Sequence, residues 1–332
     1  MNHSLYWRRA ALGLAIATAL SACAGAKPAS TPASIASPAD AAIEAQVASY
    51  QLVANHPGRL IVALVSTDNQ WVSFGEMRMH FSYLGASPSA PPIDASAPAT
   101  PPADQTARFL PIPGTPPDDG SGARLTAAID GRGLYGIESI AFPTPGYWQV
   151  ESSGTLADGR AVDASAAFEV LATPRLLEVG DEAPRTDNAV IGDPGVNAAS
   201  IDSRAAIDGS IPDPELHTTS ITDAIDAHRP ALVVFATPVY CVSQFCGPVT
   251  DMVADLAKTY SDRADFIHVE IYRDFDPNEV NQAALDWLLT PDGDLREPWV
   301  FLIGSDGRIA GSWDTMASRD EIEPLLQDLP QS

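Results

Sequence analysis

Residues 231–248 read Ala231-Leu-Val-Val-Phe-Ala236, then Thr237-Pro-Val-Tyr-Cys241-Val-Ser-Gln-Phe-Cys246-Gly-Pro248, and the fold turns on them. Six apolar residues in a row are too few for a helix and read as a strand buried on both faces. The chain then enters a short loop that carries two thiols. Beyond Gly247-Pro248 a helix is expected to about Tyr260, because Val249, Met252, Val253, Leu256 and Tyr260 repeat at the three-to-four spacing of one buried face. Two positions five apart on a regular helix lie more than about 7 Å apart at Cα, beyond disulfide reach. If the thiols pair, Cys241 to Phe245 must therefore be loop.

A strand ending in paired thiols just before a helix N-terminus is a setting for thiol–disulfide chemistry. The thiolate is the reactive species, and the helix N-terminus stabilises negative charge. Cys246 stands at that end and gains most from it. Counted from the strand end instead, Cys241 takes the attacking position, so the two alignments leave the order open, and the helix-end environment favours Cys246.

The surrounding residues extend the pattern. Ile221 to His228 reads as a short helix capped by Thr219 or Ser220 and stopped by Pro230. Phe266 to Ile271 is a strand, and Asn281 to Leu289 a helix with Leu285, Leu288 and Leu289 on one side. Glu297-Pro298 leads into the strand Trp299-Val-Phe-Leu-Ile303, a turn at Asp306-Gly307, and a second strand from Arg308 to Trp313. Ser318 and Glu321 are spaced as a capping box for a last helix from about Arg319.

This order over roughly residues 177–330 resembles the thioredoxin superfamily, and Val179-Gly-Asp-Glu-Ala-Pro184 is similar to the entry strand of its peroxiredoxin branch. The resemblance implies a C-terminal α/β thioredoxin-like domain over residues 174–332. It also implies catalytic roles for Cys241, Cys246 and Pro298, the proline being cis and shaping the client site. The motif departs from the family, which places two residues between its cysteines where this chain has four. Thiol–disulfide exchange with protein thiols or disulfides, without a cofactor, is the expected activity. A peroxidase is disfavoured because three residues, not two, separate Thr237 from Cys241. Copper delivery is disfavoured because such proteins use Cys-x-x-x-Cys, and His268 sits mid-strand. The non-enzymatic alternative is a surface binding lipoprotein whose disulfide is structural.

Residues 46–173 read as all-β. Arg59 to Val65 is a buried strand, Met77 to Tyr83 alternates with period two, and Gly133–Ile140, Gly146–Glu151 and Ala166–Val170 follow, with a turn at Asp158-Gly159. Pro145-Gly-Tyr-Trp-Gln-Val resembles a late strand of immunoglobulin-like extracellular modules, which implies an N-terminal all-β sandwich with Trp148 in its core. Met77, Met79 and His80 are explained by one buried methionine face rather than by copper, and no metal is assigned. His56 and His80 read as isolated, and His217 and His228 as surface residues. Residues 87–104, rich in proline, alanine and serine, read as a long disordered loop.

The N-terminus is an address. Arg8 and Arg9 precede an apolar run from Ala10 to Leu20, well short of the roughly 20 residues that span a bilayer. Leu20-Ser-Ala-Cys23 matches the bacterial lipobox. The resemblance implies a signal peptide over residues 1–22, lipidation of Cys23, and a tether over residues 23–45 that holds the protein to a bacterial membrane outside the cytoplasm. With three cysteines in 332 residues and Cys23 lipidated, Cys241–Cys246 is the one disulfide left to form. The net charge of −24, or −26 once Arg8 and Arg9 are removed, argues against nucleic acid as a partner.

Overall fold

The first described strand, β1 (Ile43–Val47), already differs from expectation. A computed structural model describes residues 42–93, 100–274 and 279–331, so Cys23 and most of the tether lie outside the described residues. Ile43-Glu-Ala-Gln-Val47 alternates apolar and polar, and it pairs antiparallel with β2 (Gly58–Ser66) from Ile43↔Ser66 to Val47↔Val62. The boundary expected at residue 45 therefore falls inside a strand.

The β-rich half continues with β3 (Trp71–Ser73), β4 (Glu76–Gly85), β5 (Gln105–Pro111), β6 (Arg124–Thr126), β7 (Gly133–Ile140), β8 (Gly146–Thr155) and β9 (Ala161–Val170). They form one nine-stranded sheet in the order β6-β3-β2-β7-β5-β4-β8-β9, with β1 on β2, and every pairing is antiparallel. One core gathers Leu60, Val62, Leu64, Met77, Met79, Phe81, Trp148 and Phe168. Met77 and Met79 are buried there, and Ser152 Oγ lies 3.0 Å from the Met79 sulfur. His56 and His80 are not isolated: each sits 2.7 Å from a carboxylate, Glu178 and Asp104 respectively. Of the expected loop at 87–104, residues 94–99 lie outside the described residues.

The second half opens with three short helical pieces: α1 (Ala198–Ile201), a 3₁₀ turn (Pro214–His217) and α2 (Ile221–Asp226), which Ser220 and Asp223 cap reciprocally. Strands β10 (Ala231–Ala236), β11 (Asp265–Glu270), β14 (Trp299–Ile303) and β15 (Ile309–Asp314) make a four-stranded sheet ordered β11-β10-β14-β15. Only the β10–β11 pairing in it is parallel. A small ribbon joins β12 (Tyr272–Asp274) and β13 (Glu279–Val280). Helices α3 (Cys246–Tyr260), α4 (Gln282–Leu288) and α5 (Arg319–Asp328) complete the chain. The helical face expected on α3 is the buried one, and Ser318 with Glu321 forms the expected capping box.

The expected fold class, an immunoglobulin-like sandwich followed by a separate α/β thioredoxin-like domain, is corrected by this architecture. Among the described residues the protein is mostly β, with about 16% helical, and its two main sheets are a large antiparallel one and a small mixed one. The described residues fall in one compact unit. The cause can be traced to β2. Leu60, Ile61, Val62, Ala63 and Leu64 are all buried, so the strand has no solvent face. Leu60, Val62 and Leu64 face the sheet core, while Ile61 and Ala63 join Leu110, Ile112 and Leu134 in a second core. That second core also holds Val234, Val249, Val253, Leu302 and Ile322 from the cysteine-bearing half. Burying one such aliphatic side chain is worth about 1.5–3 kcal/mol, so neither half could shed this contact cheaply.

Polar contacts follow the same seam. Arg59 on β2 grips Glu321 on α5 through Nε (2.6 Å) and Nη2 (2.9 Å), and its Nη1 reaches the Asp314 carbonyl at 3.1 Å. All three side chains are under a tenth exposed. Burial pushes the Asp314 carboxyl up to about 6 against the pull of Arg59.

Candidate functional site

The strand β10 is buried along its whole length because it is central in its sheet, between β11 and β14. It delivers Thr237, Pro238 and the cysteine loop to one end of the molecule. Cys241 and Cys246 form a disulfide, with their Cα atoms 6.0 Å apart. The loop between them is non-helical, as closure demands, and Gln244 bends it at φ 64°. The Gln244 side chain accepts from Arg132 Nη1 at 3.2 Å, which ties the loop to the segment entering β7.

The two sulfurs sit differently. Cys246 is the first residue of α3 and is fully buried, whereas Cys241 is only half-buried. Burial raises the energy of a thiolate and denies it to a client, and so offsets the advantage of the helix end. The exposed edge of the disulfide is therefore Cys241, and the preference for Cys246 as the attacking thiol is reversed by accessibility. Around Cys241 stand three exposed apolar side chains, Val239, Tyr240 and Val242, the last 95% exposed.

Behind Cys246 stands a carboxylate that sequence reasoning passed over. Glu297 Oε2 lies 3.8 Å from Cys246 Sγ and accepts from the Thr237 backbone N–H at 3.1 Å. Burial pushes the Glu297 carboxyl up to about 7; the Thr237 hydrogen bond opposes this and the charge of Glu270 adds to it. Glu270, at the end of β11, is itself buried and accepts from Ser203 N (2.8 Å) and Ile271 N (2.9 Å). The sequence offers only a weak signal for Glu297, an acid immediately before Pro298 and the wholly apolar run Trp299–Ile303.

Pro298 lies where expected, with a cis Glu297–Pro298 bond at the head of β14. Its carbonyl accepts from Thr315 N at 3.0 Å, and the Glu297 carbonyl accepts from the Tyr50 hydroxyl. Tyr50 comes from the segment after β1, so the β-rich half braces the acid beside the disulfide.

A second cluster lies beneath the loop. Asp202, His217 and His268 are fully buried, and both imidazoles lie 3.4 Å from Asp202 Oδ2. The surface role expected for His217 is thus corrected; the strand position of His268 is as read. Burial pushes the His217 imidazole below its ordinary value against the opposing pull of Asp202. Ser203 links the two clusters, since its Oγ accepts from Val239 N at 3.2 Å. No local signal joins these three residues, which are far apart in sequence.

A cavity of about 560 Å³ opens elsewhere, lined by His56, Arg59, Trp313, Asp314, Glu321 and Pro324. Among the described residues no helix is long and apolar enough to cross a membrane.

Comparison with known proteins assigns no family. No family model and no curated protein matches the chain. Among solved structures it is similar to BslA, a bacterial hydrophobin, at 11% identity over 39% of this chain and 92% of that one. The TM-score is 0.22, too low to carry an argument about fold or function.

Proposed function

We propose that this protein is an extracytoplasmic thiol–disulfide oxidoreductase, held to a bacterial membrane by lipid on Cys23, that works through Cys241 and Cys246. The observation carrying this reading is the half-buried Glu297 carboxyl, with a proton affinity near neutrality, 3.8 Å from the sulfur of the inner cysteine. A disulfide that only pins a loop has no use for such a group, whereas exchange needs a base poised near pH 7.

In the reduced protein the Cys241 thiolate attacks one sulfur of a client disulfide. A mixed disulfide forms, and the client's other sulfur leaves as a thiolate that takes a proton from water. Glu297 accepts the proton of the Cys246 thiol. Cys246 Sγ then attacks Cys241 Sγ, and the client's second sulfur departs with the proton that Glu297 returns. The client gains two electrons and the Cys241–Cys246 bond is restored. The reverse sequence oxidises a client dithiol. Val239, Tyr240 and Val242 supply a contact surface for an extended apolar segment of the client, and Pro298 fixes the acid from behind.

The test is the reduction potential of the pair, read by thiol alkylation and intact mass across graded redox buffers. A value above about −280 mV places it among exchange proteins. A value below about −300 mV marks a structural disulfide and overturns the proposal in favour of a binding lipoprotein.

A further inference from the structure

We infer that Asp202, His217 and His268 form a buried zinc site beneath the cysteine loop. The three donors come from three segments: the residue after α1, the end of the 3₁₀ turn, and the middle of β11. Their ligand atoms all lie within 4.8 Å of one another.

Hydrogen bonding alone leaves the cluster unexplained. His268 Nε2 lies 3.0 Å from the Ala236 carbonyl, which can only accept, so that nitrogen carries the hydrogen. In the neutral ring the opposite nitrogen, Nδ1, then presents a lone pair to a carboxylate oxygen 3.4 Å away. Two acceptors face each other in a fully buried place, which is costly unless a cation lies between them. A second proton on His268 would draw the pair into an aligned contact of about 2.7–2.9 Å. Instead His268 Nδ1 makes no hydrogen bond, and neither nitrogen of His217 does, although His217 is wholly enclosed.

The spacing suits a metal. Zinc binds imidazole nitrogen and carboxylate oxygen at about 2.0–2.2 Å, and tetrahedral geometry then separates neighbouring donors by about 3.3–3.6 Å. Both nitrogen–oxygen separations are 3.4 Å. The outer contacts match as well. A metal-bound histidine ordinarily donates its other N–H to a carbonyl or carboxylate, as His268 does to Ala236. Arg204 orients Asp202 through Nε to Oδ1 (3.1 Å) and Nη2 to Oδ2 (2.8 Å). Asp213 and Asp251 flank that guanidinium at 3.1 and 2.9 Å. Three carboxylates around one guanidinium leave a negative balance for a divalent cation to fill. Two imidazoles and one carboxylate select zinc over hard cations that prefer all-oxygen sites.

Because His268 holds the carbonyl of Ala236, the last residue of β10, the ion fixes the strand end from which the cysteine loop departs. This inference concerns a site distinct from the disulfide and does not depend on its chemistry.

The experiment uses the full oxidised chain, whose paired cysteines cannot bind metal. The chain is unfolded, stripped with chelator, refolded and titrated with Zn²⁺, with Co²⁺ as an optical probe. Uptake of about one equivalent is expected, with a tetrahedral cobalt spectrum free of thiolate charge transfer and a higher thermal midpoint. His217→Gln and His268→Gln should each weaken binding by more than about 100-fold, since outer contacts alone are worth 10–100-fold. The isosteric Asp202→Asn carries the same test if a histidine variant fails to fold. Refolded oxidised protein that takes up neither ion, or folded variants that bind as the parent does, would overturn the assignment.

Discussion

Replacing Glu297 by Gln is expected to stabilise the oxidised protein above neutrality while slowing exchange. Burial lifts the carboxyl from 4.5 to about 7. Between those values the folded chain binds more protons than the unfolded one, so stability falls as pH rises through the window from about 4.5 to 7. A lift from 4.5 to about 7, at about 1.4 kcal/mol per pH unit, sets an upper bound of about 3.5 kcal/mol. Partial exposure of the side chain reduces this to about 1–2 kcal/mol. The amide keeps an oxygen for the Thr237 N–H and never ionises, so the variant escapes the penalty. Urea unfolding of both oxidised proteins from about pH 5 to 8 should show a stability difference that opens with pH and levels off above about 7. Titration of other groups, Asp314 included, cancels in that difference. A difference that stays flat with pH would refute the titration argument. Release of client from the mixed disulfide should meanwhile slow at least tenfold, because a positioned base contributes about 10²–10⁴. Unchanged release would refute the proton-transfer role and leave the stability argument standing.

Cys246→Ser should accumulate mixed disulfides through Cys241 on non-reducing gels, whereas Cys241→Ser should accumulate far fewer, because only Cys241 reaches the surface. Val242→Lys should leave stability within about 0.5 kcal/mol, yet slow reduction of an unfolded protein client and spare reduction of a small disulfide, read in parallel turnover assays. Ile61→Ala should cost about 2–5 kcal/mol, and tryptophan fluorescence and far-UV circular dichroism should still report one shared transition. Arg59→Met should cost about 3–5 kcal/mol by stranding Asp314 and Glu321; without Arg59 to oppose burial, Asp314 protonates at a higher pH than in the parent, so part of that loss should be recovered as the pH is lowered toward about 6.

What could be read from the sequence was local. The apolar run Ala231–Ala236, the α3 periodicity and the Asp306-Gly307 turn each depend on neighbours within a few residues, and each has its expected counterpart in the structure. The cysteines could be found because one strand and one helix deliver both. What could not be read was which surfaces meet. Nothing around Ile61 and Ala63 says that the second face of β2 covers α3 rather than water, so a two-domain fold was inferred where one unit forms. The place of Glu297 beside Cys246 could not be read either, because its distance to that sulfur depends on β14 pairing with β10. His217 and His268 looked unremarkable because only the crossing of the 3₁₀ turn over β11 sets their rings 5.2 Å apart.

The doubly buried strand β2 bears on how the chain can be handled. Cut after residue 173, a fragment would carry Ile61, Ala63, Leu110 and Leu134 into solvent as a sticky stripe, and its counterpart would expose the matching side of α3. Neither piece is a candidate for separate expression, for grafting onto another scaffold, or for inheritance as an independent cassette. A deletion phenotype for either half would report the collapse of both, and function can be assigned to one half only through single substitutions that leave the seam intact.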